Sequence, residues 1–312
     1  MPTAVRIVRD AEEIQESVGG GGSFRRYQVS CGPFLGKLEA LSCPRTAFFS
    51  GRYTQDLRVT WRSPQNDYLF GLYLGGRGKG HFNRRPLSGQ NIALFGLGGE
   101  IDAFIPIGVT WLGFKIPPSL LEGAAEAGGL SLTHFAREES WMKEGEPEAF
   151  DNLTQTVRAI LDTGGVVNDS RSGSLTEYDE EDLLDAFVSC FKKSDDHPPV
   201  DRWRNRFRIA RQADDYLRAH LNRSVTAAEL CRELQVSRRL LYYAMTDVYQ
   251  CTPVSYHRRL RLQSARIDLR DRSKHLSISE AARRWGFNNM GHFSRYYREM
   301  FAELPSVTAQ SG

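Results

Sequence analysis

Histidine, cysteine and long apolar runs are scarce in this 312-residue chain, and each scarcity excludes something. There are 7 histidines, and His81 is the only one between residues 1 and 133. A metal-dependent barrel enzyme needs several histidines and a carboxylate converging from neighbouring strands, so no metal site is expected in that stretch. The 5 cysteines, Cys31, Cys43, Cys190, Cys231 and Cys251, include no CxxC pair and are odd in number. Free thiols in a reducing compartment are expected, with Cys31 or Cys43 either buried and structural or redox-sensing. No stretch approaches the roughly 20 apolar residues that span a bilayer, and the N-terminus lacks a basic segment followed by an apolar run. A cytoplasmic protein with no membrane partner is expected. No Gly-x-Ser-x-Gly elbow occurs, Gly96-x-Gly98 lacks a dinucleotide-binding context, and Gly19–Gly22 reads as a flexible joint. No catalytic residue and no cofactor are assigned.

What is abundant is arginine, and it is unevenly placed. The net charge of +3 conceals a split: residues 202–312 hold 21 Lys and Arg against 10 Asp and Glu, whereas residues 1–201 are net acidic by 8. Of those 21 cations 20 are arginine, whose planar fork suits phosphate and guanine. Double-stranded DNA is the partner this distribution points to.

Two successive helix-turn-helix patterns lie in the basic segment. Thr226-Ala-Ala-Glu229 is a capping-box pattern before Leu230, Cys231 and Leu234 at helical spacing. A break at Gln235 and a new N-cap at Ser237 open a second helix, in which Leu241, Ala244 and Met245 form the packing face. Arg238, Arg239, Tyr242 and Tyr243 are left on the opposite side, where a major groove would meet them. Ser277-x-x-Glu280 begins the second unit, Ala281, Ala282 and Trp285 pack, and Gly286 permits a left-handed turn. Asn288 or Asn289 then caps another helix with Phe293, Tyr297 and Phe301 inward and Met290, Gly291, His292 and Arg295 on flanking surface. Pro305 is expected to end the module. Between the units a helix from Thr252-Pro253 to about Asp271 carries Arg258, Arg259, Arg261 and Arg266, and roughly 18 residues of helix span about 27 Å, enough to hold two reader helices near one DNA turn apart. The expected DNA-binding set is Ser237, Arg238, Arg239, Tyr242, Tyr243, Arg259, Arg261, Asn289, Met290, His292 and Arg295.

Val236-Ser-Arg-Arg-x-Leu241, Arg259-Leu-Arg-Leu-x-x-Ala265, and Ala282-x-x-Trp-Gly-Phe287 followed by His292-Phe-Ser-Arg295 and Pro305 together resemble the AraC/XylS family of bacterial transcription regulators over Arg206 to Pro305. Trp285-Gly-Phe287 and Pro305-Ser-Val-Thr308 look most like the branch containing the ethanolamine-operon regulator. The family commonly has arginine where this chain has Tyr243 and a polar residue where it has Gly291. Tyrosine cannot make the two-pronged guanine contact of arginine, so the target sequence does not transfer. The resemblance implies promoter DNA as partner, RNA polymerase for an activator, a homodimer, and a cupin-like N-terminal barrel that binds a small-molecule effector.

The first two hundred residues read, by themselves, as all-β followed by helices. Short strands rich in Val, Phe, Tyr and Trp are expected at 34–41, 46–53, 57–61, 68–74, 80–83, 91–95 and 110–115, in a barrel or sandwich. Helical patterns follow near 119–127, 148–161 and 178–192; Leu153, Val157, Ile160 and Leu161 suit either core or a dimer seam. The run 162–174 reads as a loop, and 194–204, with Pro198-Pro199, as the linker. The fold class is therefore α+β: an all-β domain at 24–117, a helical dimerisation segment at 118–193, and an all-α double helix-turn-helix domain at 205–306.

Effector contacts are sought inside the β domain, at Trp61, Tyr73, Phe82 and Trp111. Arg58 and Arg62 share a strand face with Thr60, where two guanidinium groups could clamp a phosphate or carboxylate; Arg58-x-x-x-Arg62 is similar to an element of cyclic-dinucleotide sensors. A cyclic dinucleotide or a small metabolite is the candidate effector, and an amino alcohol would instead use aromatic rings with Glu100 or Asp102. The alternatives are an effector-independent dimeric architectural binder or repressor, and a cupin-type enzyme fused to a DNA-binding domain.

Overall fold

The computed structural model describes residues 4–11, 13–14, 25–42, 45–63, 65–75, 79–83, 85–87, 90–128, 141–144, 146–164, 177–190 and 201–311. Cys43, Gly19–Gly22 and residues 194–200 lie outside them. A seven-stranded sheet has the order β1 (Ala4–Val8), β3 (Gly36–Ser42), β4 (Ala47–Tyr53), β11 (Thr110–Ile116), β6 (Tyr68–Leu74), β9 (Asn91–Phe95), β12 (Trp141–Glu144). A five-stranded sheet has the order β2 (Arg25–Gln28), β5 (Leu57–Arg62), β10 (Glu100–Ile105), β7 (His81–Phe82), β8 (Arg85–Pro86). The expected cupin-like barrel is thus corrected to two sheets, with no closed barrel among the described residues. The all-β expectation holds; β1, β2, β8, β10 and β12 escaped the pattern because they are short or carry charged residues that interrupt their apolar alternation.

Strand periodicity explains the layering. On the seven-stranded sheet Phe48, Phe70, Leu72, Ile92, Leu94, Leu112 and Phe114 share one core with three helices, and Leu38, Tyr53, Leu69, Tyr73, Ala93 and Phe95 share another with the five-stranded sheet. The helices are α1 (Pro118–Ala127), α2 (Pro147–Gly164) and α3 (Glu177–Ser189). Leu121, Phe150, Leu153, Val157, Leu183 and Phe187 are buried against the sheet, and Phe187 sits edge-on to Phe70 at 4.3 Å. Leu153 and Val157 therefore belong to the chain's own core. Gly51 is required here, because a Cβ would meet the Trp111 indole at 2.5 Å.

The C-terminal domain comprises α4 (Asp201–Ala219), α5 (Ala227–Glu233), α6 (Arg238–Tyr249), α7 (Pro253–Arg270), α8 (Ile278–Arg284), α9 (Met290–Phe301) and α10 (Pro305–Ser311). Helix α4 already begins at Asp201, inside the expected linker. Pro305 opens α10 instead of ending the module, because proline fits a first helical turn whose N–H would be unpaired anyway. The Thr226 hydroxyl caps α5, but Glu229 does not reciprocate: its carboxylate accepts from Arg223 at 2.5 Å and from Tyr216 at 2.9 Å. At Ser277 the capping box is complete.

The outer face of the five-stranded sheet docks on this domain. Register aligns Tyr27, Arg58, Phe104 and His81 in one row across β2, β5, β10 and β7. Arg58 is 1% exposed and reaches across to Asp214 of α4 at 2.7 Å while holding Asp102 at 3.1 Å; its guanidinium lies 5.2 Å from the Tyr249 ring. Arg211 joins Asp102, and Arg218 covers Tyr27 at 4.2 Å. His81 packs edge-on to Phe207 at 5.1 Å and stacks on Phe104. Further clasps add to the contact: Asp10 holds Arg266 at 3.2 Å and Arg270 at 2.7 Å, and Gln28 Nε2 donates to the Met300 carbonyl at 3.1 Å.

Removing one partner of a buried ion pair leaves a desolvated charge and costs about 3–5 kcal/mol. Asp214→Ala is therefore expected to split the calorimetric unfolding of the full chain into two transitions, one per domain; an unchanged thermogram would contradict this. The buried imidazoles give a pH signature. Burial holds His257 down to about 4, with Arg261 adding to the effect, and burial lowers His81 as well. The unfolded chain then binds protons first, so stability is flat above the ordinary histidine value and falls below it. For His257 the loss by pH 5 is about 2 kcal/mol. Burial alone would raise Asp102, but Arg58, His81 and Arg211 hold it far below the usual carboxylate range, so it does not titrate in this window. Urea midpoints at pH 7 and pH 5 check the sign.

Candidate nucleic-acid interface

Helix α6 presents its solvent side as expected. Leu241, Ala244 and Met245 are fully buried, while Arg238, Arg239 and Tyr243 are exposed and Tyr242 is half-buried. Arg239 Nε donates to the Tyr243 hydroxyl at 3.2 Å, and its guanidinium lies 5.4 Å from that ring. Arg238 stands 5.5 Å from the Tyr242 ring. Aromatic support holds both arginines near the helix surface while leaving their donor edges open. Ser237 accepts from the Leu240 N–H at 3.2 Å as the N-cap.

In α9, Phe293 and Tyr297 are fully buried and Phe301 nearly so, while Gly291, His292 and Arg295 are exposed. Asn289 accepts from the His292 N–H at 2.9 Å, which settles the N-cap on Asn289. Met290 is half-buried and packs on the second unit's core, so it offers less open surface than expected. Tyr296, half-buried, carries Arg258 at 4.2 Å and Arg295 at 4.9 Å from its ring. That repeats on the second unit the arginine-on-tyrosine arrangement of the first.

Two expected DNA contacts lie elsewhere. Arg261 is 5% exposed; its Nε donates to the Trp285 carbonyl at 2.6 Å, its Nη1 to Ser224 Oγ at 2.9 Å, and its guanidinium covers Phe287 at 4.2 Å. It joins the two helix-turn-helix units, and Gly286, at φ +74°, is the left-handed turn that lets the chain approach it; a Cβ there would meet the Asn222 carbonyl at 2.7 Å. Arg259 is half-buried and donates to the Val29 carbonyl of the β domain. Both were expected at the DNA because the helix between the units is rich in arginine, but α7 is packed on nearly every side. Beside Tyr243 the structure also places Arg206, 5.4 Å from its ring, and Asp247, neither of which was among the expected residues. The i, i+4, i+8 spacing of Arg239, Tyr243 and Asp247 was the available signal.

In the β domain Trp61, Tyr73 and Phe82 are buried in the core between the sheets, with Trp111 partly buried against it. Trp111 Nε1 donates to the Tyr53 hydroxyl at 2.9 Å, and Phe82 sits 5.1 Å from Phe95. The Arg58–Arg62 pair does not form an anion clamp: Arg58 is taken up by Asp102 and Asp214, and the exposed Arg62 pairs with Glu100 at 2.9 Å. The strand face was identified correctly; what it meets is the neighbouring domain. Arg26, opposite Val59 in register, is the buried cation on the inner face, and burial lowers it to about 10 despite the Tyr53 phenol nearby. Among the described residues no cluster could hold a metal ion, and no helix is long and apolar enough to cross a membrane.

Residues 230–311 match a family of helix-turn-helix domains. The chain is 36% identical over 99 residues to a probable thc operon regulatory protein of Rhodococcus erythropolis, covering 31% of this chain and 30% of that one. It is 35% identical over 94 residues to the XylDLEGF operon transcriptional activator of Pseudomonas putida, covering 30% and 29%. A solved structure of a probable AraC family transcriptional regulator from Rhodopseudomonas palustris is 35% identical, covering 33% of this chain and 96% of that one, with a TM-score of 0.32. Residues 230–311 thus form a helix-turn-helix domain of that family. The chain spans about 30% of the length of these curated relatives, so their kinship speaks for that domain alone.

Replacing Arg239 with Ala should cost about 1–3 kcal/mol on a selected duplex and less on random DNA. Arg261→Met should behave oppositely: the melting temperature of the C-terminal domain falls, since hydrogen bonds from a charged group contribute about 1.5–3 kcal/mol, while the salt dependence of DNA binding stays the same. A reduced salt slope for Arg261→Met would restore it as a phosphate contact.

Proposed function

We propose that this chain is a sequence-specific DNA-binding transcription regulator acting in the cytoplasm, an activator whose β domain senses a small molecule and whose AraC-type domain reads promoter DNA. The observation that carries the reading is the pair of exposed reader helices, α6 and α9, held by the 18-residue α7. That helix is about 27 Å long, which suits adjacent major-groove segments on one face of a duplex. The relatives named as operon activators support activation, with RNA polymerase as partner, and the chain acts as a homodimer through the α1–α3 side of the β domain. An effector would enter by parting the aromatic core between the sheets, near Trp61, Tyr73, Phe82 and Trp111. An anionic effector, a carboxylate or a phosphate ester, would meet Arg26 there. The likeness to the ethanolamine-operon branch makes an amino alcohol the competing candidate, bound by the rings.

Docking supplies the route for the signal: a ligand that moves β5 or β10 displaces Arg58 and Asp102, and with them the reader domain, so its differential affinity for two arrangements becomes a change in promoter occupancy. The test is titration of purified protein with small carboxylates, phosphate esters and amino alcohols, following affinity for a selected duplex by anisotropy. At least one class is expected to shift affinity tenfold or more, and Arg26→Gln should abolish the shift for an anion only. A fragment of residues 201–311 should bind the same duplex more weakly and respond to none of them. Equal affinity and equal response in fragment and full chain would remove the sensor role.

A further inference from the structure

Helix α6 carries Arg239, Tyr243 and Asp247 at i, i+4 and i+8, so the three stand in a line along the helix. Arg206 of α4 lies beside that line. Its guanidinium is 5.4 Å from the Tyr243 ring, on which Arg239 also rests, and it forms an ion pair with Asp247 Oδ2. The second carboxylate oxygen of Asp247 faces Lys79 of the β domain at 3.6 Å, and Gln250, at the end of α6, donates to the Lys79 carbonyl at 3.1 Å. Asn205, Arg206, Ser237, Arg239, Leu240 and Tyr243 line an open groove between α4 and the N-terminal part of α6.

Two cations therefore share one carboxylate at the margin of the first reader helix, and one of the two belongs to the other domain. A DNA backbone running past α6 would compete with Asp247 for Arg206, whose charge is already guided along the Tyr243 ring. Lys79, paired with the other oxygen of that carboxylate at 3.6 Å, would loosen its hold on Arg206. We infer that Arg206 is a further DNA-binding residue that takes a backbone phosphate beside the first reader helix, and that Lys79 of the β domain sets its availability by sharing Asp247. The inference rests on the DNA-reading role of α6 proposed above. It adds a third element, α4, to the interface and gives the β domain a direct handle on it.

A phosphate contact carries no sequence information, so the probe is a random-sequence 24-base-pair duplex, bound by the full chain and followed by fluorescence anisotropy from 50 to 300 mM KCl. Arg206→Ala should weaken binding by roughly tenfold at 50 mM, less at higher salt, and reduce the log–log salt slope by about 0.9, one phosphate's worth. Arg206→Lys should keep the slope. Asp247→Asn should tighten binding a few-fold, an effect lost in the Arg206→Ala background. Lys79→Ala should weaken binding a few-fold at constant slope, and not at all when Asp247 is already Asn. An Arg206→Ala protein that melts like the wild type but binds with the same affinity and slope overturns the proposal. So does Asp247→Asn tightening that persists without Arg206, a readout that stands even if Arg206→Ala folds poorly. A lower slope in Lys79→Ala would make Lys79 itself the phosphate contact and overturn the sharing. A wild-type protein that binds no duplex would instead fail the DNA-reading role of α6, a different result from any of these.

Discussion

A guanidinium cannot be buried without a partner, and in this molecule the fully buried Arg58 finds its carboxylates in both domains at once. Asp102 sits beside it on the same sheet, whereas Asp214 comes from α4 more than a hundred residues later. Much of the arrangement follows from that demand. The row Tyr27, Arg58, Phe104 and His81 is apolar enough to pack on Phe207 and Tyr249, yet charged enough to have one satisfactory partner surface. Its specificity comes from the cost of misplacing a charge, more than from the area covered. Asp10 repeats the device near the far end of α7, where it gathers Arg266 and Arg270. Together the clasps fix how the reader helices are presented.

The consequence for regulation is that the β domain and the DNA-reading domain share ionic groups. Under the proposed function, a shift of β5 or β10 by a fraction of an ångström would change the balance among Arg58, Asp102, Arg211 and Asp214, because packed interfaces favour discrete arrangements. At the other edge, Lys79 and Arg206 divide Asp247 between them. One carboxylate is thus common to the β domain, to α4 and to α6. Under the proposed function this is the physical channel through which an effector reaches the promoter.

The C-terminal domain was legible in the sequence because its signals are local. Ser237, Thr252, Ser277 and Asn289 cap the helices they precede, and Phe293, Tyr297 and Phe301 recur at one helical turn. The two-faced reading of α6 rests on the same short-range periodicity. What could not be read were the non-local contacts, both between the two helix-turn-helix units and between the domains. Arg261, Arg259 and Arg58 look alike on paper as exposed cations, and only the fold reveals that Trp285, Val29 and Asp214 await them. Strand β10 was hidden for a related reason: Glu-Ile-Asp-Ala-Phe-Ile has a charged position, Asp102, on the face that becomes buried against the neighbouring domain. The aromatic interior, by contrast, followed from strand alternation, and Trp61, Tyr73 and Phe82 do share one core.

The central claim is that α6 and α9 read two adjacent major-groove segments from one chain. Hydroxyl-radical footprinting of the full-length protein on duplexes selected from a random pool measures this directly. The account predicts two protected segments per chain, on one face of the duplex and about one helical turn, roughly 10 base pairs, apart. Mutating Arg239 should erase one segment and mutating Arg295 the other. A single protected segment, or protection with no sequence preference in the selected pool, would contradict it.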